Sequence, residues 1–208
     1  MGDVASAVAE NRRVVAEQLG LVTPDRWQWL RQVHGPEVVR VERVEPPPAA
    51  DAAVTATRGL PLVVITADCA PIALAAGDAA AVVHAGWRGL QAGIVERAVA
   101  ELRALPAARG APVRAVIGPC ISVRHYEFGR ADLDRLVRHW GPGVEGTTLD
   151  GRPAFDLPAG VRAALAATGV GDDAVEDLGI CTYASAGHYS HRREAPTGRQ
   201  ALIVVLEP

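Results

Sequence analysis

The stretch Leu62-Val-Val-Ile-Thr-Ala-Asp-Cys-Ala-Pro-Ile-Ala-Leu-Ala-Ala-Gly-Asp-Ala-Ala-Ala-Val-Val-His-Ala-Gly-Trp-Arg-Gly89 contains three short apolar runs, Leu62 to Ile65, Ile72 to Ala75 and Ala80 to Val83. Runs of this length read as successive buried strands. A helical stripe follows, with Leu90, Ile94, Ala98, Leu102 and Leu105 on one face, and it ends before Pro106. Upstream, Asp3 is placed to cap a first helix whose stripe is Val4, Val8, Val15 and Leu19, broken by Pro24. An extended region from Trp27 to Val41 turns at Gly35-Pro36, and Glu45-Pro-Pro-Pro48 is a stiff surface connector before β-type sequence resumes at Asp51-Ala-Ala-Val-Thr55. Downstream, Val113 to Ile117 is a strand stopped by Gly118-Pro119. Asp132 to Trp140 and Pro158 to Ala167 are helices, and Val175 to Leu178 and Ala201 to Leu206 are the closing strands. This mixed order, without regular βαβ alternation, predicts α/β or α+β layers in one domain over residues 1–208, not a doubly wound nucleotide fold.

Three chemically capable side chains end apolar runs in the first half of the chain. His34 ends Trp27-Gln-Trp-Leu-Arg-Gln-Val-His34, Cys69 follows Leu62 to Asp68, and His84 closes Ala79-Ala-Ala-Val-Val-His84 just before Ala85-Gly-Trp-Arg-Gly89. Strand ends let side chains from distant parts of a chain converge at a sheet rim. Two imidazoles and a thiolate suit zinc, and three protein ligands leave the fourth tetrahedral position open, as in a catalytic site. Taken singly, each residue is as readily a packed or hydrogen-bonded side chain, and no Cys-x-x-Cys or His-Glu-x-x-His spacing reinforces the set. Asp68 is a candidate for orienting a ligand or shuttling a proton. Arg88, between Gly86 and Gly89 at a helix start, is a candidate anion ligand. A second group, Cys181, His188 and His191, is read instead as a polar loop in which Tyr189 and His191 line a pocket. His125 and His139 read as surface or loop residues, and Cys120 as an apolar filler or pocket residue.

Composition narrows the class. At 208 residues and 49% apolar, the chain can bury a sizeable core, and with few aromatics that core must be built mainly from Ala, Val, Leu and Ile. A net charge of −3 supplies no field for nucleic acid or an anionic membrane. All 21 basic residues are arginine. Three dispersed cysteines do not make a disulfide framework and fit a reducing cytosol. The N-terminal residues carry no signal-peptide pattern and no apolar run is long enough to span a membrane, so a soluble cytoplasmic protein is expected.

Gln32-Val-His-Gly35, Thr66-Ala-Asp-Cys69-Ala-Pro71, His84-Ala-Gly-Trp-Arg-Gly89 and Ile117-Gly-Pro-Cys120 together resemble the YfiH family, formerly known as multicopper polyphenol oxidoreductases or laccase-domain proteins. Tyr126-Glu-Phe128, Phe155-Asp-Leu157, Cys181-Thr-Tyr183, Tyr189-Ser-His-Arg-Arg193 and Thr197-Gly-Arg199 extend the resemblance in order from about residue 10 onward. The resemblance implies a mixed-sheet α/β sandwich flanked by helices and distantly like cysteine-hydrolase toxins. It makes His34, Cys69 and His84 zinc ligands, with copper binding conceivable in vitro. It also implies small-molecule partners, a purine nucleoside and phosphate: phosphorolysis of adenosine, inosine and methylthioadenosine, and adenosine deamination. Family members usually begin with a further strand carrying a Thr-Arg-x-Gly-Gly-Val-Ser-like segment, which is expected to be missing here.

Three rivals follow from the same residues. A metal-free hydrolase would use Cys69 as nucleophile and His84 as base, a reading that includes peptidoglycan-precursor editing. A copper-dependent phenol oxidase is disfavoured, because six histidines with no His-x-His pair cannot supply the usual ligand set. A non-catalytic zinc module would close its coordination with Cys120 or His188.

Overall fold

The computed structural model describes residues 4–207. In chain order its principal elements are α1 (Ala5–Gln18), β1 (Gln28–Trp29), β2 (Val38–Arg40), β3 (Ala52–Thr55), β4 (Leu62–Thr66), β5 (Ala70–Ala76), β6 (Ala79–Ala85), α2 (Trp87–Gln91) and α3 (Ile94–Arg103). They continue as β7 (Arg114–Ile117), α4 (Arg130–Trp140), β8 (Glu145–Thr147), β9 (Pro153–Phe155), α5 (Leu157–Ala167), β10 (Val175–Asp177) and β11 (Gln200–Val204). The main sheet has six strands in the order β10-β7-β5-β6-β3-β2. Its centre, β7-β5-β6-β3, is antiparallel, and the outer strands β10 and β2 pair parallel to their neighbours. A second sheet has the order β1-β4-β11. The mixed α/β architecture expected from the sequence is the one observed.

Alternation along the strands builds the layers. On β4, Leu62 and Val64 face the main sheet and pack with Ala53 and Val82, helped by Leu202 and Val204 of β11. The intervening Val63, with Ile65 and Ile203, faces the other way, towards Ala16 and Trp27. The opposite face of the main sheet presents Ala52, Val54, Ile72, Leu74, Ala81 and Val83 to Leu90, Ile94, Ala98, Val99 and Leu102 and to α5 through Val161 and Leu165. Each fully buried Leu or Ile there contributes about 1.5–3 kcal/mol relative to exposure. The result is a layered sandwich of α1, small sheet, main sheet and helices. No helix among the described residues is long and apolar enough to cross a membrane.

Four expectations are corrected. The helix read over 90–105 is two helices, because Gly93 adopts φ +87°, a left-handed conformation that ends α2 and starts α3. The first helix ends at Gln18, ahead of Gly20 at φ +63°, and of the stripe read from Val4, Val8, Val15 and Leu19 only Val8 is half-buried, the other three being exposed. Its buried residue is Ala16, and Arg12 lies with its guanidinium 3.9 Å from the Trp29 ring centroid, so an aromatic surface selects the face. The proposed Asp3 cap lies outside the described residues. Third, the run ending at His34 is a strand only over Gln28–Trp29. The chain then leaves the sheet, and the Gln32 amide takes over the pairing, donating to the Ile65 carbonyl at 2.8 Å and accepting from the Ile65 N–H at 2.9 Å. Fourth, the β8–β9 hairpin was not anticipated; Gly146, Thr147 and Pro153 give it no apolar alternation.

Candidate metal centre

Asp51, wholly buried at the start of β3, organises the site. Its carboxylate accepts hydrogen bonds from the backbone N–H of Val33 (3.1 Å), His34 (3.0 Å) and Gly35 (2.8 Å), and from His84 Nδ1 (2.7 Å). Its own carbonyl accepts from the His84 N–H at 2.7 Å. One carboxylate thus ties the His34 loop to β6. A carboxylate only accepts, so His84 holds a proton on Nδ1, and Nε2 is the nitrogen left to face a metal, which would displace the proton there. Burial pushes the Asp51 carboxyl up, but the His84 bond and the Gly35 and Val33 amides hold it below the usual carboxylate range.

Two residues here hold positive φ without being glycine, His34 at 59° and Asp68 at 95°. Such conformations cost about 1–3 kcal/mol each and persist where the surroundings over-determine them. For His34 the restraint is Asp51. For Asp68 it is the Thr182 hydroxyl, which donates to Oδ1 at 2.6 Å, the Arg192 N–H, which donates to Oδ2 at 2.6 Å, and the Ile121 N–H, which donates to the Asp68 carbonyl at 2.9 Å. Cys69 sits in this turn, between β4 and β5. The Asp68 carboxylate accepts from Thr182 and Arg192, and the carboxylate that orients an imidazole of the candidate metal group is Asp51.

The ligand atoms of His34, Cys69 and His84 all lie within 4.8 Å of one another, the one such group of His, Cys, Asp or Glu found among the described residues. Cys69 Sγ is 3.8 Å from His34 Nε2, and the imidazoles meet edge to face at 4.7 Å. His84 is buried, Cys69 half-buried and His34 exposed, so the cluster opens to solvent on the His34 side. Gly86 is sterically required: a Cβ there would lie 2.8 Å from His34 Cδ2 and 3.0 Å from Cys69 Sγ. Burial pushes the Cys69 thiol up, but hydrogen bonds to His34 and His84 outweigh it and bring its pKa down to about 6. Burial also opposes charge on His84, yet Asp51 and Cys69 raise its pKa to about 9. The sulfur is therefore held as the thiolate, the form that binds metals. Two imidazole nitrogens and a thiolate in one opening fit a metal such as zinc.

Beside the cluster runs an aromatic wall. Trp87 meets Phe128 edge to face at 5.4 Å, and Phe128 meets Tyr126 at 5.1 Å. Arg88 lies 4.4 Å from the Trp87 ring centroid and Arg192 5.0 Å from that of Tyr126. Arg88 is exposed and makes no ion pair within the described residues. Burial first, then the charge of Cys69, pushes the Tyr126 phenol well above its ordinary pKa, so it stays protonated.

The second cysteine–histidine group does not assemble. His188 Nδ1 bonds the Ser185 hydroxyl at 2.8 Å, His191 is exposed, and Tyr189 is an exposed ring covering Gly198. Cys181 instead approaches His125, at 3.6 Å from Sγ to Nδ1. Cys120 is a buried filler, and neither it nor His188 joins the His34–Cys69–His84 group. The sequence reading missed Asp51 and Tyr126 as site residues. A lone acid inside Ala49-Ala-Asp51-Ala-Ala-Val54 was the available signal for Asp51, since such an acid must be paired if the run is buried.

The family model described as multi-copper polyphenol oxidoreductase laccase matches residues 1–207. Purine nucleoside phosphorylase SCO2081 of Streptomyces coelicolor is 43% identical over 215 residues, covering 100% of this chain and 86% of that protein. Purine nucleoside phosphorylase Rv2149c of Mycobacterium tuberculosis is 42% identical over 217 residues, covering 100% of this chain and 82% of its own. Among solved structures, YlmD from Geobacillus stearothermophilus superimposes with a TM-score of 0.88 at 28% identity, covering 100% of this chain and 83% of that one. Neisseria meningitidis NMB0706, a DUF152 protein, gives 0.86 at 32% identity, covering 100% and 84%. Matched along nearly its whole length in both sequence and fold, the chain belongs to the multi-copper polyphenol oxidoreductase laccase family, the group of YfiH and DUF152 proteins.

Proposed function

We propose that the chain is a zinc-dependent purine nucleoside enzyme, catalysing phosphorolysis of adenosine, inosine and methylthioadenosine and deamination of adenosine. The observation that carries this reading is the open His34–Cys69–His84 donor set, oriented by Asp51, in a chain whose relatives bear the name purine nucleoside phosphorylase. His34, Cys69 and His84 would hold the ion, and zinc would supply Lewis acidity at neutral pH. Zinc is preferred to copper because a thiolate with two imidazoles and no His-x-His pair matches a mononuclear site better than an oxidase cluster.

The chain's own groups have separable roles. Arg88, unpaired by any carboxylate among the described residues, is the phosphate ligand, its guanidinium fork suiting two phosphate oxygens. The aromatic wall of Trp87, Phe128 and Tyr126 offers stacking surface for a purine. Tyr126, kept protonated, can donate a hydrogen bond or a proton to a leaving group. Asp68 acts as a positioning residue that holds the Cys69 turn.

A nucleoside panel with and without phosphate, read by chromatography on protein of measured zinc content, tests the reading. Free base and ribose 1-phosphate forming only with phosphate, and inosine forming from adenosine without it, are the expected products. Zinc-loaded protein inert on every nucleoside would end the proposal. Turnover that survives chelation but not Cys69→Ala would move the assignment to the cysteine hydrolase.

A further inference from the structure

Outside the metal centre, one more group of reactive side chains is brought together. Cys181 Sγ accepts a hydrogen bond from the Ser122 hydroxyl at 3.2 Å and lies 3.4 Å from the Ser122 N–H and 3.6 Å from His125 Nδ1. His125 is itself 3.4 Å from the Ser122 hydroxyl and is stacked on the Tyr183 ring at 4.5 Å. Partial burial pushes the Cys181 thiol up, but the Ser122 hydroxyl and the backbone N–H groups of Ser122, Ala184 and Tyr183 outweigh it and hold it below its ordinary value. Cys181 is only partly buried, so small reagents reach it.

A second cysteine stands opposite. Cys120 and Cys181 pair across a parallel bridge, in which the Cys120 N–H donates to the Ile180 carbonyl at 3.1 Å and the Thr182 N–H donates to the Cys120 carbonyl at 3.0 Å. Bridge partners sit about 4.8 Å apart with side chains on the same face, inside the roughly 4.4–6.8 Å span of Cα positions that a disulfide can join. Both cysteines are free thiols.

We propose that Cys181 and Cys120 form a peroxide-responsive dithiol, Cys181 being the attacking thiolate and Cys120 the resolving thiol. The Cys181 thiolate attacks one oxygen of a hydroperoxide, the O–O bond breaks, and the protein gains a sulfenic acid while hydroxide or alkoxide leaves. Sulfur is oxidised by two electrons and the peroxide is reduced by two. The Cys120 sulfur then attacks the sulfenic sulfur, its thiol proton leaving with the hydroxyl group as water, and a disulfide forms. His125 and Ser122 hold the thiolate and the sulfenate oxygen against the surrounding N–H donors. The bridge joins segments that also hold the metal-site turn, since Ile121 and Thr182, each adjacent to one cysteine, both bond Asp68.

The test treats the purified, metal-loaded protein with stoichiometric hydrogen peroxide and maps each cysteine by mass spectrometry, with dimedone as the sulfenic-acid trap. A linked peptide pair containing Cys120 and Cys181, reversed by dithiothreitol, is expected in the unaltered protein. Cys120→Ala should convert that product to a dimedone adduct on Cys181, and Cys181→Ser should abolish both. Cys120→Ser serves as a second resolving-thiol variant, with circular dichroism checking that each protein is folded. Ser122→Ala and His125→Ala should slow Cys181 oxidation several-fold. The proposal falls if Cys181 stays reduced in folded protein, or if its oxidation rate is unchanged by both neighbouring substitutions. A persistent sulfenate with no link to Cys120 would equally overturn the dithiol.

Discussion

Asp51→Asn probes the site at its most connected point. The substitution keeps size and shape but replaces one acceptor oxygen by an N–H₂ donor. If the amide nitrogen takes the Oδ1 position it faces the His34 N–H and His84 Nδ1; if it takes Oδ2 it faces the Val33 and Gly35 N–H groups. The second orientation loses two of the four hydrogen bonds; the first loses the His34 bond and keeps the His84 contact only by reversing its direction. Bonds to a charged acceptor are worth about 1.5–3 kcal/mol each; one or two are lost, the survivors lose their charged acceptor, and terms that share one site do not add fully, which gives an expected destabilisation of about 2–4 kcal/mol. In the first orientation His84 accepts from the amide at Nδ1 and carries its proton on Nε2, the nitrogen proposed to hold the metal, and losing such an orienting partner weakens metal binding by about 10–100-fold. Urea unfolding of metal-free protein and competition for zinc against a chromophoric chelator measure the two effects separately. Sign matters for pH: Asp51 is held below its unfolded pKa, so its contribution is present above about pH 4 and is lost as pH falls through the folded value. The Asn variant should lack that acid-labile component. An Asn variant matching the parent in both stability and zinc affinity would refute the role given to Asp51.

Three further outcomes are expected. Gly86→Ala places a methyl against His34 Cδ2 and Cys69 Sγ with no backbone strain, so zinc affinity should drop while circular dichroism is unchanged; full affinity would mean the ligands relax freely. In metal-free protein, Cys69 alkylation by iodoacetamide should rise with pH through an inflection near about 6, and His84→Ala should move that inflection upward; an inflection at the ordinary thiol value would contradict the pairing. Arg88→Ala should raise the apparent KM for phosphate strongly and reduce deamination less, with Arg88→Lys recovering only part of the loss. Equal loss of both activities with zinc retained would reassign Arg88 to site architecture, and unchanged phosphorolysis would pass the role to Arg192.

Local pattern settled much of this protein. The apolar runs at Leu62, Ile72 and Ala80 read as successive buried strands and each became a strand, although β5 leaves Ala75 exposed. The helical stripe through Leu90, Ile94, Ala98 and Leu102 identified its buried face despite the unforeseen break at Gly93. His34, Cys69 and His84 were legible as candidates because strand ends and small neighbours mark places where chemistry is affordable. Tertiary structure decided the rest. Nothing local indicates that Val33, His34 and Gly35 would donate to a carboxylate 16 to 18 positions away, or that Arg192 would reach Asp68 across 124. Nor could the face of α1 be read from its own stripe, since Trp29, on a different element, selects it. Periodicity reports which side of an element avoids water; which polar groups satisfy one another once water is gone depends on the three-dimensional packing of distant segments, and that is where Asp51 acquires its role.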